Sequence, residues 1–239
     1  MRLLFIYFLF ASVTAFSAKD SLKFHAFLDG QIMVQTGNLK QFGSNLILNA
    51  RISNSKFEFS TNASYQYVKV NDFNVINDFW SYGIFKYHHR KRVYPLIMTY
   101  YGFAKSFGIK YSFLSGLGGG INIVQKSPKN FLHANIIVGY MNFDYSLSQR
   151  QSGLVLNTFI QANATMFKEY LNIYWEAHAF RALNDSQSYG IQNQIRLGVP
   201  ITKWLEIGIS NTVNYNQTVD LGKQKLNSMT LAGIKLMLL

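Results

Sequence analysis

The stretch Phe57-Glu58-Phe59-Ser60-Thr61-Asn62-Ala63-Ser64-Tyr65-Gln66-Tyr67-Val68 decides the fold class. Phe57, Phe59, Thr61, Ala63, Tyr65 and Tyr67 fall on one parity, and Glu58, Ser60, Asn62, Ser64 and Gln66 on the other. A strand throws successive side chains to opposite faces, so this period of two describes a strand with one oily and one polar face, and no helical period fits it. The same alternation recurs in Leu46, Leu48, Ala50 and Ile52 against Asn45, Asn49 and Arg51. It recurs again in Leu205, Ile207 and Ile209 against Glu206, Gly208 and Ser210.

Working outward from these stretches, turn signals divide the chain into about twelve strands. They are expected near residues 22–35, 41–53, 56–69, 74–88, 93–105, 110–125, 130–145, 152–164, 170–183, 188–199, 204–218 and 225–238. Strands of ten or more residues, even in number and apolar on alternate positions, point to an all-β, antiparallel, up-and-down transmembrane β-barrel. A secreted soluble barrel gives the same alternation with the faces exchanged. Strand length and the 16% aromatic content favour the membrane. Phe59, Leu48, Ile207 and Ile234 are then expected to face lipid, with Ser60, Asn49 and Gly208 facing the lumen.

Composition narrows the alternatives. The chain has 239 residues, 49% of them hydrophobic and 14% charged, against about a quarter charged in an ordinary soluble domain. Past residue 18 no run approaches the roughly 20 apolar residues of a spanning helix. With no cysteine, disulfides, thiolate nucleophiles and thiolate metal sites are excluded. The start of the chain, with Arg2, apolar Leu3 to Ala11 and small residues in Ala15-Phe16-Ser17-Ala18, has the form of a secretory signal peptide. Residues 1–17 are assigned to it and residues 18–239 to one outer-membrane barrel domain. Loss of Arg2 would lower the net charge from +12 to +11. An exported chain of that charge meets acidic lipid before nucleic acid.

The run Thr36-Gly37-Asn38 before a Leu/Asn-rich strand resembles that of the YdiY-like salt-induced outer-membrane proteins, a β-barrel domain of unknown function. So do Gly108-Ile109-Lys110 leading into Leu117-Gly118-Gly119-Gly120, and Gly198-Val199-Pro200-Ile201-Thr202-Lys203-Trp204-Leu205. The resemblance covers about residues 30–238. It implies an outer-membrane barrel and brings no catalytic residues with it. The chain departs from the pattern in its basic charge and in ending Leu238-Leu239 rather than on an aromatic residue.

Candidate sites are few. His88-His89-Arg90-Lys91-Arg92 is the densest basic run, and is expected to be a solvated periplasmic turn reaching lipid phosphates rather than a polyanion site. Gly116, Gly118, Gly119 and Gly120 precede a strand, not a helix, so they mark close packing rather than a phosphate loop. His25, His133 and His178 with scattered serines lack an acyl-transfer motif. Folding each hairpin about its own turn is expected to align a lumenal charge belt of Glu176, Arg196, Glu206, Lys235, His25, Arg51 and Glu58, with Lys23 nearby. In that register Arg51 opposes Glu58 and His25, Arg196 opposes Glu206 and Glu176, and Glu206 opposes Lys235.

The expected function is therefore a monomeric outer-membrane barrel of structural or envelope-maintenance type with a narrow polar lumen. It is not an enzyme, takes no cofactor and binds no nucleic acid. Its partners are outer-membrane lipids and the barrel assembly machinery. A small diffusion pore is the alternative, and a lipid-modifying barrel enzyme the third.

Overall fold

The computed structural model describes residues 22–35, 40–71, 73–127, 129–147, 150–185, 188–220 and 222–238. The signal peptide expected over residues 1–17, and Gly37, Asn38 and Pro128, lie outside the described residues. Twelve strands follow one another: β1 (Lys23–Gln35), β2 (Gln41–Ser53), β3 (Phe57–Val70), β4 (Phe73–Tyr87), β5 (Val93–Ala104) and β6 (Ile109–Ser127) form the first half. The second half is β7 (Asn130–Tyr145), β8 (Gln151–Met166), β9 (Leu171–Ala182), β10 (Tyr189–Pro200), β11 (Leu205–Asn216) and β12 (Leu226–Leu238). Each strand pairs antiparallel with its sequence neighbours, and β12 pairs with β1 to close the ring. Closure removes the unpaired sheet edges that an open sheet would present.

The outer wall is apolar. Leu48, Phe59, Ile207 and Ile234, expected to point outward, are exposed by 45, 43, 50 and 50%. Such a band of exposed aliphatic and aromatic side chains is stable against lipid and not against water. Phe167, Tyr170 and Trp204 stand exposed in the turns at the end of the barrel that carries both ends of the described chain, where aromatic rings suit a bilayer interface.

The inner wall is polar only in part, where a narrow polar lumen was expected. Polar residues line β1–β3 and β9–β11, but β5–β8 turn Leu96, Met98, Leu114, Ile137, Met141 and Phe159 inward, all buried. The reason is visible in Leu96-Ile97-Met98, a continuous apolar run rather than an alternating one, which suits a strand buried on both faces.

The two ends are also unlike. Opposite the terminus-bearing end, the turn between β5 and β6 folds into the mouth and leaves Phe107 only 2% exposed. Gly108 allows this with φ 77°, a left-handed conformation in which a Cβ would also collide with the Asp220 side chain. The Ser106 amide and hydroxyl donate to the Asp78 carboxylate, the amide at 3.0 Å. From across the mouth, Asn227 Nδ2 donates to Ser106 Oγ at 2.9 Å and the Asp220 amide to the Phe107 carbonyl at 3.1 Å.

Candidate functional site

Three groups of charged side chains occupy the lumen. In the first, Arg196 on β10 donates to Asp29 on β1, with Nη1 2.8 Å from Oδ2, and to Glu206 on β11, with Nε 3.1 Å from Oε1. Asn172 Nδ2 donates to the second Glu206 oxygen at 2.7 Å, and Gln31 Nε2 to Asp29 at 2.9 Å. Gly198, Gly208 and Gly233 oppose one another on β10, β11 and β12 and form the trough in which these side chains lie. A Cβ at Gly198 would collide with the Glu206 carboxylate, and one at Gly208 would sit 3.2 Å from Arg196 Cζ. Hydrogen bonds engage both carboxylates and two of the three guanidinium nitrogens, Nη2 of Arg196 being buried without a partner among the described residues, and this pairing is what makes a buried ion cluster tolerable. Lys235 opposes Glu206 across the strand pair, with its ammonium 4.1 Å over the Phe27 ring.

The second group surrounds Glu58 at the terminus-bearing end. Lys86 Nζ lies 2.8 Å from Oε1, His89 Nδ1 3.4 Å from Oε2 and Arg51 Nε 3.8 Å from Oε2. His89 corrects the expectation of a wholly solvated basic turn. His88 adopts φ 53°, which breaks the strand alternation, and its ring packs on Tyr87 at 4.1 Å. The chain then turns His89 inward, where Nε2 meets the Asn54 carbonyl at 2.8 Å. Arg90, Lys91 and Arg92 remain exposed.

The third group crosses the lumen. The Tyr82 hydroxyl on β4 donates to Glu176 Oε2 on β9 at 2.9 Å, although the two strands stand five places apart in the twelve-stranded ring. Tyr174 donates to the same oxygen, as does Gln161 Nε2 at 3.1 Å, while His178 Nε2 lies 3.2 Å from Oε1. Phe159 packs its ring 5.5 Å from Tyr82 and 4.1 Å from His178. Glu176 is thus surrounded by donors and closed off by aromatic rings, which makes it a clasp between opposite walls.

The single belt expected from the hairpin turns is not formed. Two pairings stand as expected, His25 with Arg51 and Glu206 with Lys235. Glu58 opposes Ser53 rather than Arg51, although Arg51 still reaches it diagonally. Arg196 opposes Tyr174 and Ser210, and Glu176 opposes Gln194 and Gln161. The slip at β10–β11 has a local cause. Pro200 stays in the strand opposite Glu206, and Thr202 Oγ1 accepts from the Leu205 amide at 3.0 Å, which moves the centre of the hairpin from Ile201 to Lys203. At the closing seam Lys235 opposes Asp29 rather than His25, because tilted strands in a barrel stagger the register and a row of opposed residues climbs the wall. Asp29, Lys86, Tyr82 and Tyr174 were not singled out from the sequence. Inner-face parity alone finds them, since Asp29 shares it with His25, Lys86 with Tyr82, and Tyr174 with Glu176.

At the terminus-bearing end the lumen opens into a vestibule of about 530 Å³, walled by β1–β4, β6, β7 and the His89–Arg90 turn. Above it the bore is filled by side chains, with a residual cavity of about 60 Å³ among Trp80, Tyr100, Phe107, Phe143 and Phe180.

Residues 31–235 match DUF481, described as a protein family of unknown function. The chain belongs to the DUF481 family. This agrees with the family resemblance carried by its turn and strand motifs. No curated protein matches the chain in sequence. Among solved structures, the DUF481 barrel is similar to the NanC porin, with 10% identity over 90% of this chain and 100% of that one and a TM-score of 0.55. It also aligns with the KdgM porin in complex with disordered oligogalacturonate, at 11% identity, 88% and 98% coverage and a TM-score of 0.45. The translocator domain of the autotransporter NalP from Neisseria meningitidis aligns at 10% identity, 95% and 91% coverage and a TM-score of 0.40. The likeness to the NanC porin is one of fold, a closed antiparallel β-barrel.

Proposed function

We propose that this chain is a monomeric outer-membrane barrel of structural or envelope-maintenance type whose lumen is closed to free diffusion. The observation that carries the reading is the Tyr82–Glu176 bond across the bore, backed by Phe159, Met98 and Ile137, all buried within 1%. The apolar outer wall supports a bilayer as its surroundings, and the porin-type fold supports the outer membrane in particular. No enzymatic role is assigned, because Glu176 and His178 spend their hydrogen bonds on each other and on Tyr82, Tyr174 and Gln161 inside the clasp.

Reconstitution of the detergent-folded protein into planar bilayers tests this. A heat-modifiable barrel that inserts without a steady conductance is the expected result. A steady ohmic current through the native chain would overturn the reading and favour the second one, a small diffusion pore, for which the wide vestibule speaks.

A further inference from the structure

The vestibule carries chemistry that the closed lumen above it does not use. Five cations line it, Lys23, Arg51, Lys86, Arg90 and Lys126, against the single carboxylate of Glu58. Glu58 is already engaged by Lys86, Arg51 and His89. Lys23, Arg90 and Lys126 have no carboxylate within ion-pair distance among the described residues, and all three are exposed to the opening. At the inner end of the cavity, His133 is 7% exposed and its Nδ1 has no hydrogen-bond partner among the described residues. The ring is held in plane by stacking on Phe131, with centroids 4.5 Å apart and an interplanar angle of 12°. Arg51 Cζ lies 5.9 Å over the same Phe131 ring.

A buried ring nitrogen left without a partner is costly unless something supplies one. A concave wall that holds excess positive charge against a low-dielectric background concentrates anions. We infer that the vestibule is a binding site for a small multiply charged oxyanion of the phosphate type. His133 meets its inner end, Arg51 its flank, and Lys23, Arg90 and Lys126 its outer end. The volume of about 530 Å³ suits a small molecule rather than a polymer, since ligand pockets run from roughly 300 to 1,000 Å³. The excess of cations favours two or more negative charges over one. Such groups occur both on soluble phosphorylated solutes and on phospholipid headgroups reached at the barrel rim.

The test is calorimetric titration of the full barrel with inorganic pyrophosphate, in nanodiscs of zwitterionic lipid, over a chloride background. Saturable binding is expected, weakened about tenfold or more in the triple variant Lys23→Ala, Arg90→Ala, Lys126→Ala. His133→Phe, which keeps the stack on Phe131, is expected to weaken it as well. Lys129→Ala, which loses only its 3.0 Å bridge to Glu169 outside the cavity, leaves the affinity unchanged. A direct readout on the native chain, the shift of the His133 ring resonances on adding pyrophosphate, does not depend on any variant folding. Nanodiscs of phosphatidylglycerol separate the two sources: loss of pyrophosphate binding there identifies headgroups as competitors for the site, and retention identifies a soluble oxyanion. Absence of binding in zwitterionic nanodiscs, or equal binding by the triple variant, overturns the proposal.

Discussion

Tyr82 and Glu176 are 94 residues apart in the chain and meet at 2.9 Å in the centre of the barrel. Through this bond, one side chain from each wall meets the other across the bore. Removing the ring should therefore do more than remove a hydrogen bond. Tyr82→Ala combined with Phe159→Ala is expected to produce a measurable conductance in planar bilayers, whereas Tyr82→Phe, which keeps the ring, leaves the barrel closed. If the double variant stays silent while remaining heat-modifiable, the constriction lies elsewhere.

Arg196 holds two buried carboxylates at once. Arg196→Gln removes the guanidinium that pairs Asp29 with Glu206 and leaves only the cross-strand Lys235 to offset them among the described residues, which is expected to cost about 3 to 5 kcal/mol. Adding Asp29→Asn and Glu206→Gln to that variant should recover most of the loss. Exchanging only Arg196 and Glu206 should not, because the new acid would lie beside Asp29. Equilibrium unfolding by guanidinium in lipid vesicles measures all of these.

The glycine trough makes a prediction about space. Gly208→Val adds a Cβ that would collide with the Leu197 carbonyl oxygen and sit 3.2 Å from Arg196 Cζ, before its branches are counted. A loss of about 1 to 3 kcal/mol is expected in the same unfolding assay, the usual cost of overpacking a filled interior. Gly119→Ala, where the nearest atom to a Cβ is the Tyr94 carbonyl oxygen at 3.7 Å, should be close to neutral.

On the outer wall, Ile207→Arg should cost about 2 to 4 kcal/mol near the middle of the bilayer, and Ser60→Gln, on the lumenal face, much less. Equal stability of the two variants would reverse the assignment of faces.

The turn that roofs one mouth depends on Asp78, which accepts from both the amide and the hydroxyl of Ser106. Asp78→Ala is expected to release residues 105–108, seen as faster amide exchange at Ser106 and Gly108 with little change at β9. Unchanged protection would show that Asp220 and Asn227 suffice to hold the roof.

Legibility from sequence followed the physics of each feature. Strand positions were readable because alternation is local: the expected 41–53 and 130–145 coincide with Gln41–Ser53 and Asn130–Tyr145. Outward residues such as Ile207 followed from parity once strand length and aromatic content had assigned the apolar face to lipid. Exact pairing was not readable, because it depends on turn construction. Keeping Pro200 in the strand and centring the hairpin on Lys203 moved Arg196 four residues away from facing Glu206 without changing its face. The reach of long side chains then restored the contact that the register denied. The cross-lumen clasp was the least accessible, since nothing local in Tyr82 or Glu176 announces a partner five strands away.

Finally, strand β5 and the middle of β7, from Ile136 to Met141, are apolar on both faces, and this bears on how the protein is made. Leu96, Met98, Ile137 and Met141 find cover only once the ring has closed. Until then the central hairpins expose grease to both sides, the condition under which a chain in water associates with copies of itself. The middle of this chain, rather than its last strand, is the part that a carrier would have to shield during export. It is also the part whose delay in reaching lipid would most raise losses to aggregation.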